Sequence, residues 1–111
     1  MEKHADSLDT LKQAVETATA ALVYFSAPTC NVCHALKPKL LAATQERYPE
    51  MEWISVDVSQ MPEAGAAFNV FTIPTAIIFL QGKEFVRKGR AFGPAELLDA
   101  VERPYAIMTG A

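Results

Sequence analysis

The chain has 111 residues, 50% of them apolar and 21% charged, a composition typical of globular proteins and unlike that of disordered chains. This length predicts one domain over residues 1–111. The 13 acidic and 10 basic residues are scattered along the chain and give a net charge of −3. Because the basic residues form no cluster, we expect neither nucleic acid nor an anionic membrane as a partner.

Two apolar runs, residues 18–25 and 73–80, are the longest in the sequence. Each is far shorter than the roughly 20 residues that a membrane-spanning helix needs. The first 15 residues lack the apolar segment of a signal peptide. These features predict a cytoplasmic protein with no membrane segment.

The first predicted elements are a helix and a strand. Residues 6–9 resemble a helix start, since a capping side chain is followed three residues later by an acid. Leu11 and Val15 then fall on one face, which predicts a helix over residues 8–19. Residues 21–25 are nearly all apolar, as expected of a strand that is covered on both faces of a parallel sheet.

The middle of the chain predicts a long helix, a strand and a short helix. Residues 31–47 place Leu36 and Leu40 at helical spacing, with Pro38 inside the helix and expected to kink it. Residues 53–58 alternate as a strand does, and residues 61–68 are consistent with a short helix over the sheet.

The last third predicts a hairpin and a closing helix. Residues 76–80 form an apolar strand, and residues 81–83 form a tight turn into a strand over residues 84–88. Pro94 opens a helix that runs through Glu102 and that Pro104 is expected to stop. The order α, β, α, β, α, β, β, α predicts an α/β fold, a central mixed β-sheet flanked by helices on both faces.

The two cysteines, Cys30 and Cys33, are separated by two residues at the start of the predicted long helix. This spacing brings both sulfurs within bonding reach over one turn, while the free N–H groups and dipole of the helix stabilise a thiolate. We therefore expect the pKa of Cys30 to fall below the free value of about 8.5. Cys30 is then the nucleophile in thiol and disulfide exchange, and Cys33 resolves the mixed disulfide. This chemistry needs no cofactor or metal beyond the cysteine pair.

Three other interpretations fit parts of the same segment. Both cysteines could be small buried apolar residues. Residues 30–34 also match the C-x-x-C-H pattern of haem attachment, although that pattern belongs to exported chains. A zinc site formed by Cys30, Cys33 and His34 lacks a fourth ligand, and His4 is the only other histidine.

The ordered set of motifs resembles the thioredoxin family, over nearly the whole chain. It comprises the strand before the cysteines, the C-x-x-C at the following helix start, Pro38 five residues after Cys33, and the Ile73–Pro74 pair before a later strand. The resemblance implies a thioredoxin-like fold, in which only the extra first strand lacks a clear counterpart, since residues 1–5 barely suffice for it.

The resemblance also implies a substrate site. In the family the proline that matches Pro74 is cis and faces the cysteines, and the residue before it, here Ile73, offers its backbone to an extended substrate. Thr29, Thr72 and the loop that contains Arg90 would surround the same site. Disulfide-containing proteins are the substrates that this implies, with a thioredoxin-reductase-like electron donor.

The sequence departs from the family at several positions. The buried aspartate six residues before the first cysteine is replaced by Tyr24, and its lysine partner by Trp53, to neither of which we assign a catalytic role. Thr29 and the pair at residues 31–32 differ from the usual residues around the cysteines. His34 is a possible modulator, since a charged imidazole beside Cys33 would lower a thiol pKa. Arg90 could attract acidic or thiolate substrates.

Two functions remain open from the sequence. The first is a monomeric thiol-disulfide oxidoreductase of the protein-disulfide reductase type. The second is a binding module that presents Ile73, Pro74 and the Thr29 loop to a partner, with little or no redox turnover. The replacement of the family's aspartate by Tyr24 motivates it.

Overall fold

The computed structural model describes residues 2–110, so Met1 and Ala111, the two ends of the predicted domain, lie outside the described residues. It contains five strands and five α-helices within that range. In chain order they are β1 (Glu2–His4), α1 (Leu8–Thr17), β2 (Ala20–Ser26), α2 (Asn31–Arg47), β3 (Glu52–Asp57), α3 (Pro62–Ala67), β4 (Thr75–Leu80), β5 (Lys83–Gly89), α4 (Pro94–Leu98) and α5 (Glu102–Thr109), with a 3-10 turn (Asp99–Val101) between the last two helices.

The strands form one mixed sheet in the order β1-β3-β2-β4-β5. β1 and β2 both run parallel to β3, whereas β4 is antiparallel to β2 and β5 is antiparallel to β4. β2 is therefore the central strand, and both of its faces are buried, which explains its continuous apolar sequence. The predicted mixed sheet flanked by helices is confirmed.

The core lies on both faces of this sheet because alternate residues of a strand point to opposite sides. On one face Leu22, Tyr24 and Trp53 pack against α2, α4 and α5. On the other face Val23 and Phe25 pack against α1 and α3. Helices therefore cover both faces of β2, and the chain passes from the carboxyl end of this strand into α2.

Most of the predicted elements are present, with ends that differ by one or two residues. The Ser7 hydroxyl caps α1 by accepting from the N–H of Thr10 at 3.1 Å, as its position before the helix suggests. α1 ends at Thr17 because Ala18 already has extended backbone. The hairpin turn consists of Gln81 and Gly82, with φ of 53° and 80°. Paired positive φ values match the twist of a two-residue hairpin.

Two predictions at the ends of the chain need correction. The first strand does exist: β1 pairs in parallel with β3, with Lys3 opposite Ile54. Its three residues are polar and carry no strand pattern. The strand is stabilised by its backbone pairing with β3 and not by burial of its side chains. The prediction that Pro104 stops the last helix is also wrong, since Pro104 is the third residue of α5. A proline is tolerated in a first turn, where the N–H has no acceptor within the helix.

No helix within residues 2–110 is both long and apolar enough to cross a membrane.

Candidate active site

The cysteine pair lies at the junction of β2 and α2. Cys30 is the N-cap of α2, with extended backbone (φ −91°, ψ 100°), and Cys33 is in the first turn. The two residues are joined as a disulfide, with their Cα atoms 5.2 Å apart. The predicted placement of both sulfurs at a helix start, directly after the central strand, is what the structure shows.

The two sulfurs have different environments. Cys30 is partly exposed, whereas Cys33 is 1% exposed. The N–H of Cys33 donates to Sγ of Cys30 at 3.2 Å, and the Cys30 N–H donates to the Ala27 carbonyl at 3.1 Å. Cys30 is therefore the more accessible sulfur, and a thiolate there would keep a backbone donor and the positive end of the helix dipole beside it.

Pro74 lies at the same end of the sheet as the cysteines. The Ile73–Pro74 peptide bond is cis, and Thr75 then begins β4 opposite Phe25 near the end of β2. The Arg90 N–H donates to the Pro74 carbonyl at 2.9 Å, and the Thr75 hydroxyl donates to the Thr72 carbonyl at 2.6 Å.

These contacts bring Thr72, Pro74 and Arg90 together. Gly89 lies against the same residues: a Cβ at this position would be 3.5 Å from the Thr72 hydroxyl and 3.9 Å from the Pro74 carbonyl. Thr29 is exposed in the loop just before Cys30 and belongs to the cysteine segment instead.

Arg90 has an unusual backbone conformation. Its φ is 66°, in the left-handed region that favours glycine. The side chain is exposed, while the N–H is held by Pro74. A non-glycine residue in this conformation is strained by about 1 kcal/mol or more, and such strain is common at functional sites.

His34 contacts the loop that precedes the cysteines. Its Nε2 donates to the Pro28 carbonyl at 2.8 Å, since that oxygen can only accept. The imidazole is exposed and joins the first turn of α2 to the loop before Cys30.

Tyr24 lies beneath the cysteines. Its hydroxyl donates to the Cys33 carbonyl at 2.7 Å, and its ring packs 5.5 Å from that of Trp53. Burial raises the pKa of Tyr24 to about 12. Sequence reasoning assigned this residue to core packing and missed the contact. The available signal was its position on the strand six residues before Cys30, with its side chain on the face that α2 covers.

A zinc site would need several ligating side chains close together. Within residues 2–110 no group of three or more His, Cys, Asp or Glu side chains could hold a metal ion. His4 is on β1, where its Nε2 lies 3.3 Å from the Glu2 carboxylate.

Comparison with known proteins identifies the family. The family model for thioredoxin matches residues 3–103. The thioredoxin-like protein YdfQ of Bacillus subtilis is 28% identical over 104 residues, which cover 94% of this chain and 92% of YdfQ. Thioredoxin-2 of Pyricularia oryzae is 32% identical over 73 residues, which cover 66% of this chain but only 42% of that protein.

The structural comparison agrees. Thioredoxin of Fasciola hepatica superposes with a TM-score of 0.79 at 28% identity, over 93% of this chain and 98% of that one. The family and the bonded cysteine pair together support thiol-disulfide exchange as the general chemistry. The chain belongs to the thioredoxin family.

Proposed function

We propose that this protein is a protein-disulfide reductase in which Cys30 is the nucleophile and Cys33 is the resolving thiol. The observation that carries the proposal is the asymmetry of the pair. Cys30 is partly exposed and its sulfur accepts the Cys33 N–H, whereas Cys33 is buried. Only Cys30 is open to a large substrate.

The proposed reaction has two exchange steps. In the reduced protein the Cys30 thiolate attacks a substrate disulfide, a Cys30–substrate disulfide forms, and the first substrate sulfur leaves as a thiolate that takes up a proton. The Cys33 thiol then loses its proton, and its sulfur attacks Sγ of Cys30 and releases the second substrate thiolate. Two electrons pass from the dithiol to the substrate, and a separate dithiol donor restores the protein.

The proposed docking edge is the segment before β4. Within residues 2–110 no hydrogen bond engages the backbone N–H or carbonyl of Ile73. Ile73 is half-buried, and free backbone polar groups beside a sheet favour strand-like pairing with an extended peptide. We place Thr29, Thr72, Ile73 and Pro74 in this substrate site.

Exposed apolar side chains beside the site favour protein substrates over small disulfides. Phe71, next to Thr72, is 85% exposed, and Val32, between the two cysteines, is 53% exposed. Large exposed apolar groups near a reactive centre are typical of protein interaction surfaces. Arg90 adds a positive charge that would favour acidic substrates.

The remaining parts of the proposal concern the electron donor, the cellular location, the oligomeric state and the role of His34. A thioredoxin-reductase-like donor would restore the dithiol, and a cytoplasmic location would keep it reduced. We propose a monomer, with no cofactor beyond the cysteine pair and with His34 as a modulator of thiol ionisation. Size-exclusion chromatography with light scattering tests the oligomeric state, since a dimer would overturn that part.

The main test follows alkylation and disulfide reduction in parallel. The rate of iodoacetamide reaction at Cys30 is measured against pH, and reduction of a disulfide-containing protein is assayed for the wild type and for Cys30→Ser and Cys33→Ser. We expect a Cys30 pKa below about 8.5, no reduction by Cys30→Ser, and a trapped mixed disulfide with Cys33→Ser. An ordinary thiol pKa together with no reduction by the wild type would overturn the proposal.

The alternative function, a binding module without redox turnover, predicts a different behaviour for a Cys30→Ala variant. If the protein acted by binding alone, a Cys30→Ala variant would retain every partner and the full cellular phenotype. The reductase proposal expects that variant to lose the phenotype.

A further inference from the structure

The peptide groups of Cys33 are held from two sides. Its N–H donates to Sγ of Cys30 at 3.2 Å, and its carbonyl accepts from the Tyr24 hydroxyl at 2.7 Å. The first contact joins the resolving cysteine to its reaction partner. The second joins it to the central strand of the sheet.

The remainder of α2 holds this first turn less firmly than in an ordinary helix. Pro38 has no N–H, so the carbonyl of His34 has no donor four residues later. The turn that carries Cys33 is therefore tied to the rest of α2 by one bond fewer. A contact from outside the helix gains importance at such a point.

Tyr24 is well suited to provide that contact. It is 0% exposed, and its strand is hydrogen-bonded to β3 on one side and to β4 on the other, with Ser55 and Ala76 opposite Tyr24. Its ring packs against Trp53. The hydroxyl is thus fixed with respect to the sheet.

The hydroxyl remains a donor throughout the working pH range. Burial raises the pKa of Tyr24 to about 12. The charged groups on the elements around Tyr24 and Cys33 include His34 and Lys37 on α2, Glu2 on β1, Asp57 at the end of β3 and Arg90 after β5, while β4 has none. None of these five is buried.

We propose that Tyr24 is a positioning residue for the second exchange step. By its hydrogen bond to the Cys33 carbonyl it fixes the first turn of α2 relative to the sheet, in the position from which the Cys33 sulfur can attack Cys30. This inference rests on the proposed function, since it concerns the resolution of the mixed disulfide. The first attack, by the more exposed Cys30, does not need it.

The position matters because the second step has strict geometry. The Cys33 sulfur must approach Cys30 along the axis of the Cys30–substrate disulfide, and a small displacement slows such a step strongly. No buried side chain takes up the Cys33 proton, since the buried residues within 2–110 include no carboxylate, histidine or lysine.

The two steps can be separated with 5,5′-dithiobis(2-nitrobenzoate) in a stopped-flow instrument. Reduced protein releases one coloured thiolate when Cys30 attacks and a second when Cys33 resolves the mixed disulfide. The rate of the first phase rises with reagent concentration. The second phase is intramolecular and reaches a limit that does not depend on concentration.

Tyr48 provides a matched control for Tyr24→Phe. It is also buried, and its hydroxyl also donates to a backbone carbonyl, that of Leu98 at 2.6 Å, but Leu98 is in α4 and not beside the cysteines. We expect Tyr24→Phe to slow the second phase about fivefold, which corresponds to roughly 1 kcal/mol. Its first phase should stay within about twofold, and Tyr48→Phe should leave both phases within that range.

Other outcomes are informative in distinct ways. If Tyr24→Phe leaves the second phase unchanged, or slows the first phase as much as the second, the positioning role is overturned while the reductase proposal stands. If the wild type releases no thiolate from Cys30, both proposals fall.

A second measurement, on protein that retains Tyr24, covers the case in which Tyr24→Phe folds poorly. The limiting second-phase rate, measured against pH in a His34→Gln background, should follow a single ionisation near or above the free thiol value of about 8.5. An added ionisation below about pH 6 would reveal an internal carboxylate acting on Cys33 and would overturn the inference.

Discussion

The two sides of the cysteine pair differ in almost every physical property. The outer surface, formed by Thr29, Val32, Phe71 and Arg90, is exposed and carries apolar side chains and a positive charge. The underside, formed by Tyr24 and Trp53, is fully buried and uncharged. Charge that develops on sulfur is thus accommodated at the helix start and in solvent. The underside contributes packing and one neutral hydrogen bond.

The largest expected difference between the two sides is in stability. Trp53 is 1% exposed and packs against Tyr24, so Trp53→Ala should lower the free energy of unfolding by about 3–5 kcal/mol. Phe71→Ala removes another aromatic ring, but from solvent, and should change that energy by less than about 0.5 kcal/mol. Urea unfolding measures both. Equal costs would contradict the distinction between the two sides.

The outer surface should show its effect in substrate binding. Phe71→Ala is expected to raise KM for a disulfide-containing protein about fivefold, or about 1 kcal/mol, with kcat unchanged. A small disulfide such as 2-hydroxyethyl disulfide should react as before because it does not reach Phe71.

Phe85 on β5 provides the control for that prediction. It is also an exposed phenylalanine, at 51%, but it lies toward the hairpin end of its strand. Phe85→Ala should leave KM unchanged. A rise in KM equal to that of Phe71→Ala would show that the effect is not local to the site.

A smaller effect is expected from the charge of Arg90. Arg90→Gly should reduce the rate with the anionic 5,5′-dithiobis(2-nitrobenzoate), relative to the neutral 2-hydroxyethyl disulfide, by about two- to fivefold, because exposed charges contribute at most about 1 kcal/mol. High salt should remove the difference. Stability should be kept, since glycine relieves the positive φ.

The conservative variant Arg90→Lys tests whether charge is the cause. It keeps the positive charge and should retain the preference for the anionic reagent. A preference that persists in Arg90→Gly at low salt would exclude Arg90 as its source.

The smallest expected effect concerns the edge of the underside, where a chain of hydrogen bonds reaches a charge. Trp53 donates to Ser55 at 3.0 Å, Ser55 donates to Glu2 at 2.9 Å, and Glu2 pairs with Lys37 at 2.5 Å. Burial raises the pKa of Glu2, but the hydrogen bonds and charge of Lys37, the Ser55 hydroxyl and the charge of His4 outweigh it. The pKa of Glu2 therefore lies below its usual value.

The sign of the pH dependence follows from that shift. A carboxyl with a lower pKa in the folded state stabilises the fold above its unfolded pKa and loses that contribution as pH falls through the folded pKa. Glu2→Gln should therefore cost up to about 1 kcal/mol at neutral pH and nothing in strong acid. Urea unfolding across pH measures this, with Glu46→Gln, an exposed acid on α2, as control. A cost that persists in acid would contradict the pairing.

Strong local patterns made much of the fold predictable. The apolar run of β2, the helical spacing of α2 and the apolar run of β4 each require burial of a particular kind, and the structure provides it. β1 was not predicted because three polar residues carry no periodicity. α5 was not predicted because Pro104 is a stop signal inside a helix but is compatible with a first turn.

The candidate site divides in the same way. Cys30 and Cys33 were predictable because their spacing, together with the adjoining strand and helix, is a local property. The hydrogen bond from Tyr24 to Cys33 could not be predicted, because it joins β2 to α2 and depends on how α2 packs on the sheet. The meeting of Thr72, Pro74 and Arg90 depends likewise on strand register.

The sequence by itself determined the element types around the cysteines and their position at a helix start, since periodicity, turn residues and the spacing of two residues are local. Tertiary structure decided which sulfur is exposed, what lies beneath the other, and which loops surround the pair. These depend on strand order and on the packing of α2 across β2, where residues far apart in the chain come within hydrogen-bond distance. The cysteine chemistry can therefore be read from a few adjacent residues, whereas its geometry requires the whole sheet.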